Sequence, residues 1–279
     1  MKRIAFSFLA VAILAVGFAL ANWAQQPATP LCKSPYYETF NQPFLSPSKW
    51  IPNGPACGQW LTLECVREIQ NNRLRLALRN IGAMDSNVGS QFSYTDLNFV
   101  NPNTITGITA DVALTRYSGI SCPANGDQPS RTIVKVAGAF FNTGSGDPAD
   151  DVTDDLYLWV DPTDPKTMQV ANWMTGGGAG VSTPIASYPI GTPLTLTNIW
   201  DKTNHQFISI VHPVGELRPI NKVIVPYSSF YNSDSLAPVN PYKSFFALVY
   251  SQNCTSIQTQ SYVEAFFDNV MINVPLRAE

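Results

Sequence analysis

Beyond its first sixty residues the sequence is dominated by one pattern. Short runs rich in Val, Ile, Thr, Phe and Tyr recur, each bounded by Gly, Pro, Asn, Asp or Ser. They are Trp60–Ile69, Arg73–Arg79, Ser90–Phe99, Thr104–Tyr117, Thr132–Phe141, Asp155–Val160, Met168–Met174, Pro193–Trp200, Gln206–His212, Lys222–Tyr227, Ser244–Tyr250 and Tyr262–Val274. No helical periodicity separates them. Strands joined by short turns pair antiparallel, and this many must fold into two packed sheets. The predicted fold class is therefore all-β, a two-sheet antiparallel sandwich. Gln25–Pro35, Ser118–Ser130, Thr143–Asp154, Gly176–Ser187 and Asn232–Pro241 read as looser connections. Gly176–Gly180 lacks the Lys-Ser or Lys-Thr that a phosphate loop needs after it, so it reads as a flexible turn.

One hairpin can be specified to the residue. Leu74, Leu76 and Leu78 alternate with Arg73, Arg75 and Arg79, which describes a strand with one wet face. Asn71-Asn72 before it suits the two positive φ values of a type I′ turn. That turn sets Glu68 opposite Arg75 and Glu64 opposite Arg79 on the wet face. Ile69 then meets Leu74, and Cys65 meets Leu78, on the dry one. Arg67 is the misfit, because the same register points it inward beside Leu76.

The amino terminus reads as an export signal. Lys2-Arg3 precedes the uncharged run Ile4–Leu20, and Ala19-Leu20-Ala21 presents small residues at −3 and −1. The run falls short of the ~20 residues a spanning helix wants. The expected organisation is a signal peptide over residues 1–21, a flexible segment over 22–35 and one domain over 36–279. The chain is then secreted, free of the membrane after cleavage. Removing Lys2 and Arg3 takes the 17 basic residues to 15 against 20 acidic ones, and the net charge from −3 to −5. No basic tract is present, which argues against nucleic acid. Charged residues make up only 13% of the chain and apolar ones 45%, enough for a large core.

Five cysteines in an exported chain favour disulfides. The expected bridges are Cys57–Cys65, flanking a turn, and Cys122–Cys254, joining two inter-strand loops, with Cys32 left free. No cysteine spacing fits zinc.

Several stretches together resemble the concanavalin A-like lectin/glucanase superfamily. Tyr37-Glu38-Thr39-Phe40 followed by Leu45-Ser46-Pro47-Ser48-Lys49-Trp50 is similar to its opening. Trp200-Asp201 leading into Phe207–Ile210 resembles its middle hairpin, and Ala265–Val270 its last strand, which returns beside the first. The likeness runs from about Tyr36 to Val274 and is nearest to uncharacterised secreted bacterial members. It implies a jelly-roll sandwich whose concave face holds glycans. Catalytic members carry Glu-x-Asp-x-x-Glu on a concave strand. The comparable strand here has carboxylates only at Asp155 and Asp161, roughly 20 Å apart at ~3.3 Å per residue. That separation is too great for either glycosidase geometry.

The leading expectation is thus a non-catalytic carbohydrate-binding protein. The alternatives are a glycoside hydrolase or polysaccharide lyase with a site formed between strands, and a structural or adhesive surface protein. His205 and His212, seven residues apart, offer little as catalytic bases. For the sugar site, Asp155, Tyr157, Trp159 and Asp161 share one strand face, and Gln169, Ala171 and Trp173 share a face of the next strand. If the aliphatic sides point inward, Tyr157, Trp159 and Trp173 offer rings to pyranoses, and Asp155, Asp161 and Gln169 offer hydrogen bonds. The competing expectation is that a loop covers this face. Asp147, Asp150, Asp151 and Asp154 crowd one loop, which makes calcium the candidate cofactor, against a merely solvated acidic loop.

Overall fold

The computed structural model describes residues 36–51, 62–123, 130–160, 164–216, 221–231 and 233–275. The expected leader, Cys32, Cys57 and Asp161 lie outside them, and so does the expected Cys57–Cys65 bridge. Among the described residues no helix is long and apolar enough to cross a membrane.

Fourteen strands are found in this part of the chain. They are β1 (Trp50–Ile51), β2 (Thr62–Gln70), β3 (Arg73–Ile81), β4 (Ser90–Phe99), β5 (Gly107–Ile120), β6 (Arg131–Asn142) and β7 (Asp151–Val160). There follow β8 (Thr167–Gly176), β9 (Ala179–Pro189), β10 (Leu194–Asp201), β11 (Gln206–Pro213), β12 (Asn221–Pro226), β13 (Lys243–Gln252) and β14 (Gln260–Ile272). One seven-stranded sheet has the order β1-β4-β13-β6-β7-β8-β9, the other β12-β11-β10-β5-β14-β3-β2. Every pairing is antiparallel, and the chain passes between sheets so that distant strands become neighbours, as β13 does between β4 and β6. This is a two-sheet antiparallel β-sandwich. Its core forms from inward positions of both sheets, among them Val134, Leu156, Leu158 and Phe245 against Leu76, Val112, Leu196 and Phe267.

The hairpin follows the sequence-based register. Asn71 and Asn72 sit at φ 53° and 57°, Glu68 pairs with Arg75 and Cys65 with Leu78. Both cross-strand ion pairs, Arg75–Glu68 and Arg79–Glu64, close to 2.9 Å. Arg67 points inward as the register requires, and its guanidinium donates to the Asp96 carbonyl at 2.9 Å in the other sheet. The misfit is thereby a tie between sheets.

The opening motif is one packed unit. Tyr37 and Val270 join through backbone hydrogen bonds, so the start of the domain does lie beside its last strand. Glu38 accepts from the amides of Thr39 and Phe40, from Lys49 and from the Trp50 indole, and that indole packs on Phe40 and Phe99.

Two strands escaped the sequence reading. Trp50–Ile51 is a two-residue edge strand. Gly176–Ser187, read as a loose turn, holds the turn at Gly177-Gly178 and then most of β9. This is an edge strand whose partly buried side, Ala179, Val181, Thr183 and Ile185, mixes small and polar residues among the apolar ones, so its hydrophobic alternation is weak. Pro184 sits where its register shifts, a place that tolerates a missing N–H.

Candidate functional site

The first sheet turns its outer face away from the core, and strand pairing sets its outward side chains in rows. One row runs Asn98, Ser244, Ala137, Asp155, Trp173, and the next Asp96, Phe246, Lys135, Tyr157, Ala171. The third is Tyr94, Leu248, Ile133, Trp159, Gln169, and the fourth Phe92, Tyr250, Arg131. Inward neighbours such as Val134, Leu156 and Leu158 are fully buried, so alternation alone directs this set outward.

The face is not covered. A cleft of about 310 Å³ is lined by Arg131, Ile133, Lys135, Asp155, Tyr157, Trp159, Trp173, Leu248 and Tyr250. Trp173 is 45% exposed there, and Tyr157 and Trp159 are half-buried. Those two rings form a ridge, with a second cleft of about 300 Å³ beyond it holding Gln169, Asp164 and Ser182. Tyr157 meets the Ser182 hydroxyl at 3.2 Å, and Gln169 is hydrogen-bonded to Ser187 and Thr167. Toward β4 the aromatic surface continues: Phe92 stacks on Tyr94 and Tyr250, and Tyr94 leans on Phe246. A third cleft, about 330 Å³, lies there between Tyr94, Asp96, Phe246 and the Asn240–Tyr242 segment.

Of the six residues named from sequence, Asp155, Tyr157, Trp159 and Trp173 thus meet in one cleft. Gln169 lies across the ridge, and Asp161 is outside the described residues. Sequence reasoning missed the opposite wall. The Arg131-x-Ile133-x-Lys135 and Phe246-x-Leu248-x-Tyr250 alternations were visible, but their neighbours are set by strands more than a hundred residues apart.

Charge in the main cleft is sparse. Asp155 is 4% exposed; its Oδ2 takes the Lys135 ammonium at 2.6 Å, while its Oδ1 has no hydrogen-bond partner. Lys135 also lies over the Phe246 ring. The other carboxylate on these rows, Asp96, is three strands across and two residues along from Asp155, about 16 Å at ~4.8 Å per strand and ~3.3 Å per residue. A retaining pair needs ~5–5.5 Å and an inverting pair ~6.5–9.5 Å, so these two do not form a glycosidase dyad.

The acidic loop does not assemble as a metal centre. Among the described residues no three His, Cys, Asp or Glu side chains gather to hold an ion. Asp147 caps a short turn by accepting from the Ala149 amide. Asp151 grips the amides of Val239 and Asn240 at 2.8 and 2.7 Å. Asp154 points into the sandwich and Asp155 out of it, so strand alternation parts them. Calcium therefore has no convergent ligand set in Asp147, Asp150, Asp151 and Asp154.

The Cys122–Cys254 bridge is formed, with Cα atoms 5.3 Å apart. His205 Nδ1 faces Asp234 at 3.0 Å. Burial opposes ionisation of Asp234, but hydrogen bonds from Tyr227 and His205 outweigh it and hold its pKa below the usual range. This pair lies beside Tyr231 and Ser233 in a cleft of about 380 Å³, which shares no residue with the outer face of the first sheet.

No family model matches the sequence, and no curated protein matches it either. Similar solved structures include a putative beta-glucanase from Mycobacterium abscessus, at 11% identity and TM-score 0.43, covering 82% of this chain and 97% of that one. A xylan beta-1,4-xylosidase from Bacillus halodurans has 14% identity and TM-score 0.37; the match covers 83% of this chain but only 38% of the xylosidase. The exoplasmic domain of VIP36, in a calcium- and mannose-bound form, has 7% identity and TM-score 0.31, covering 85% of this chain and 100% of that one. Likeness this distant carries nothing about residues, substrate or reaction.

Proposed function

We propose that this is a secreted, non-catalytic glycan-binding protein whose site is the cleft of Tyr157, Trp159 and Trp173. The observation that carries the reading is that these three rings line one open cleft with an exposed indole, on a sheet face whose ionic pair among the described residues is Lys135–Asp155. A large indole left in water beside other outward aromatic rings suits a ligand with apolar faces and polar edges, which describes a pyranose. Asp155 and Lys135 fix orientation through hydroxyls. The lack of a carboxylate pair at glycosidase spacing on the described rows favours binding over hydrolysis.

Affinity electrophoresis through gels containing a panel of polysaccharides tests this. The parent should be retarded by at least one polymer, and Trp159→Ala should abolish that retardation while leaving the unfolding midpoint within a few degrees. Retardation unchanged in Trp159→Ala would remove the site from this cleft. Reducing-sugar or unsaturated-product release by the parent on the same polymers would replace the binding reading with a hydrolase or a lyase.

A further inference from the structure

The main cleft is longer than one sugar and is chemically different at its two ends. It follows β6: Asp155 stands beside Ala137 and Arg131 lies six residues away along the same strand, about 20 Å at ~3.3 Å per residue. Ile133 and Lys135 form the floor. Tyr157 and Trp159 stand on the β7 side, Leu248 and Tyr250 on the β13 side.

At one end Asp155 presents a buried acceptor, Oδ1, with nothing donating to it. A buried carboxylate oxygen left unpaired is costly, and a ligand hydroxyl entering the cleft would relieve that cost. At the other end Arg131 is exposed, flanked by Tyr250 in the neighbouring strand. Among the described residues it has no acidic partner. Among the described residues lining the cleft, Lys135 is matched by Asp155 and Arg131 is the cation with no acidic partner. Guanidinium is suited to planar, bidentate recognition of oxyanions. The chain as a whole is acidic, at −3, so this cation does not belong to a general basic surface.

We propose that the cleft takes an acidic oligosaccharide lying along β6, with a sugar hydroxyl donating to Asp155 Oδ1 at one end and an anionic sugar substituent on Arg131 at the other. The substituent is a uronate carboxylate or a sulfate ester, which share this chemistry. The inference rests on the glycan-binding reading and adds the charge of the ligand and its direction in the cleft.

The full-length protein is run in gels holding a polyuronate, its carboxyl-reduced counterpart, a sulfated galactan and a neutral β-glucan, at low and at raised salt. An acidic polymer should retard the parent more than its neutral counterpart, and salt should weaken the effect. Arg131→Gln, at an exposed position, should keep the parent's unfolding midpoint and lose at least tenfold in affinity for the acidic polymer, a larger loss than on the neutral β-glucan. Preference for the polyuronate or for the sulfated galactan identifies the anionic group. Equal retention on the polyuronate and its reduced form, or an unchanged Arg131→Gln, overturns the acidic ligand while a Trp159-dependent site stands. Retention that depends on Arg131 but not on Trp159 shows surface charge alone and overturns both. Retention on no polymer also overturns both.

Discussion

Replacing Asp154 by asparagine should make the protein harder to unfold at pH 8 and change little at low pH. Asp154 lies on β7 facing the opposite sheet, with no exposed surface. Its two carboxylate oxygens accept from Asn172 Nδ2, each at 2.9 Å, and its carbonyl accepts from Asn198 at 3.3 Å. No cation is among the groups acting on it. Burial raises its pKa from 3.8 to about 7 against these hydrogen bonds. The folded state therefore holds this proton more tightly than the unfolded chain does. Between the two values stability falls as pH rises, and above pH ~7 the whole cost is present.

Each unit of pKa is worth ~1.4 kcal/mol, so the ionised carboxylate costs on the order of 4 kcal/mol, the smaller part of it already present at pH 5. An asparagine side chain is neutral throughout. Its amide also has an acceptor waiting, since Asn172 Oδ1 has no partner in the parent. Urea unfolding followed by tryptophan fluorescence, at constant ionic strength, measures the stability of both proteins. The advantage of Asp154→Asn should grow by about 3 kcal/mol from pH 5 to pH 8. Other titrating groups occur in both proteins and cancel. A gap that stays constant over this range would show that Asp154 does not titrate there, and the reasoning from burial would fail.

Lys243 makes the opposite case. It is 2% exposed, over the Phe140 ring and bonded to the Ala139 carbonyl, and burial lowers its pKa to about 7. The strain of a buried ammonium is fully present below that value and relieved toward 10.5, so Lys243→Met should gain most at pH 5 and less at pH 9 in the same urea assay. Breaking Cys122–Cys254, which closes a separation of 132 residues, should cost up to about 5 kcal/mol, read as a lower midpoint for the Cys122→Ala, Cys254→Ala protein. Asn72, at φ 57°, should accept glycine with little change, whereas valine there should lower stability by ~1–2 kcal/mol.

Local chemistry made much of the fold readable. Alternation, turn residues and cross-strand charges agree in β2–β3, and the structure keeps that register down to Arg67. Legibility ended where a segment's structure depends on its neighbour. Strand β9 pairs with β8 and buries Val181, Ile185 and Tyr188 only in part, so its Ser, Thr and Pro content resembled a loop. The acidic loop failed for a related reason. Proximity in sequence suggested a shared ligand, but Asp154 and Asp155 leave the strand on opposite sides. Asp151 is occupied by the backbone of the segment before β13.

The binding face divides along the same line. Tyr157, Trp159 and Trp173 belong to consecutive antiparallel strands, so their common side followed from alternation. The facing wall comes from β6 and β13, which meet because the chain leaves the sheet and returns to it. No local rule pairs Ile133 with Leu248 or Arg131 with Tyr250. That pairing closes the cleft, whereas Lys135 meets Asp155 between the consecutive strands β6 and β7. The aromatic surface could thus be read from one hairpin, whereas the wall of Leu248 and Tyr250 that makes it a cleft depends on long-range register.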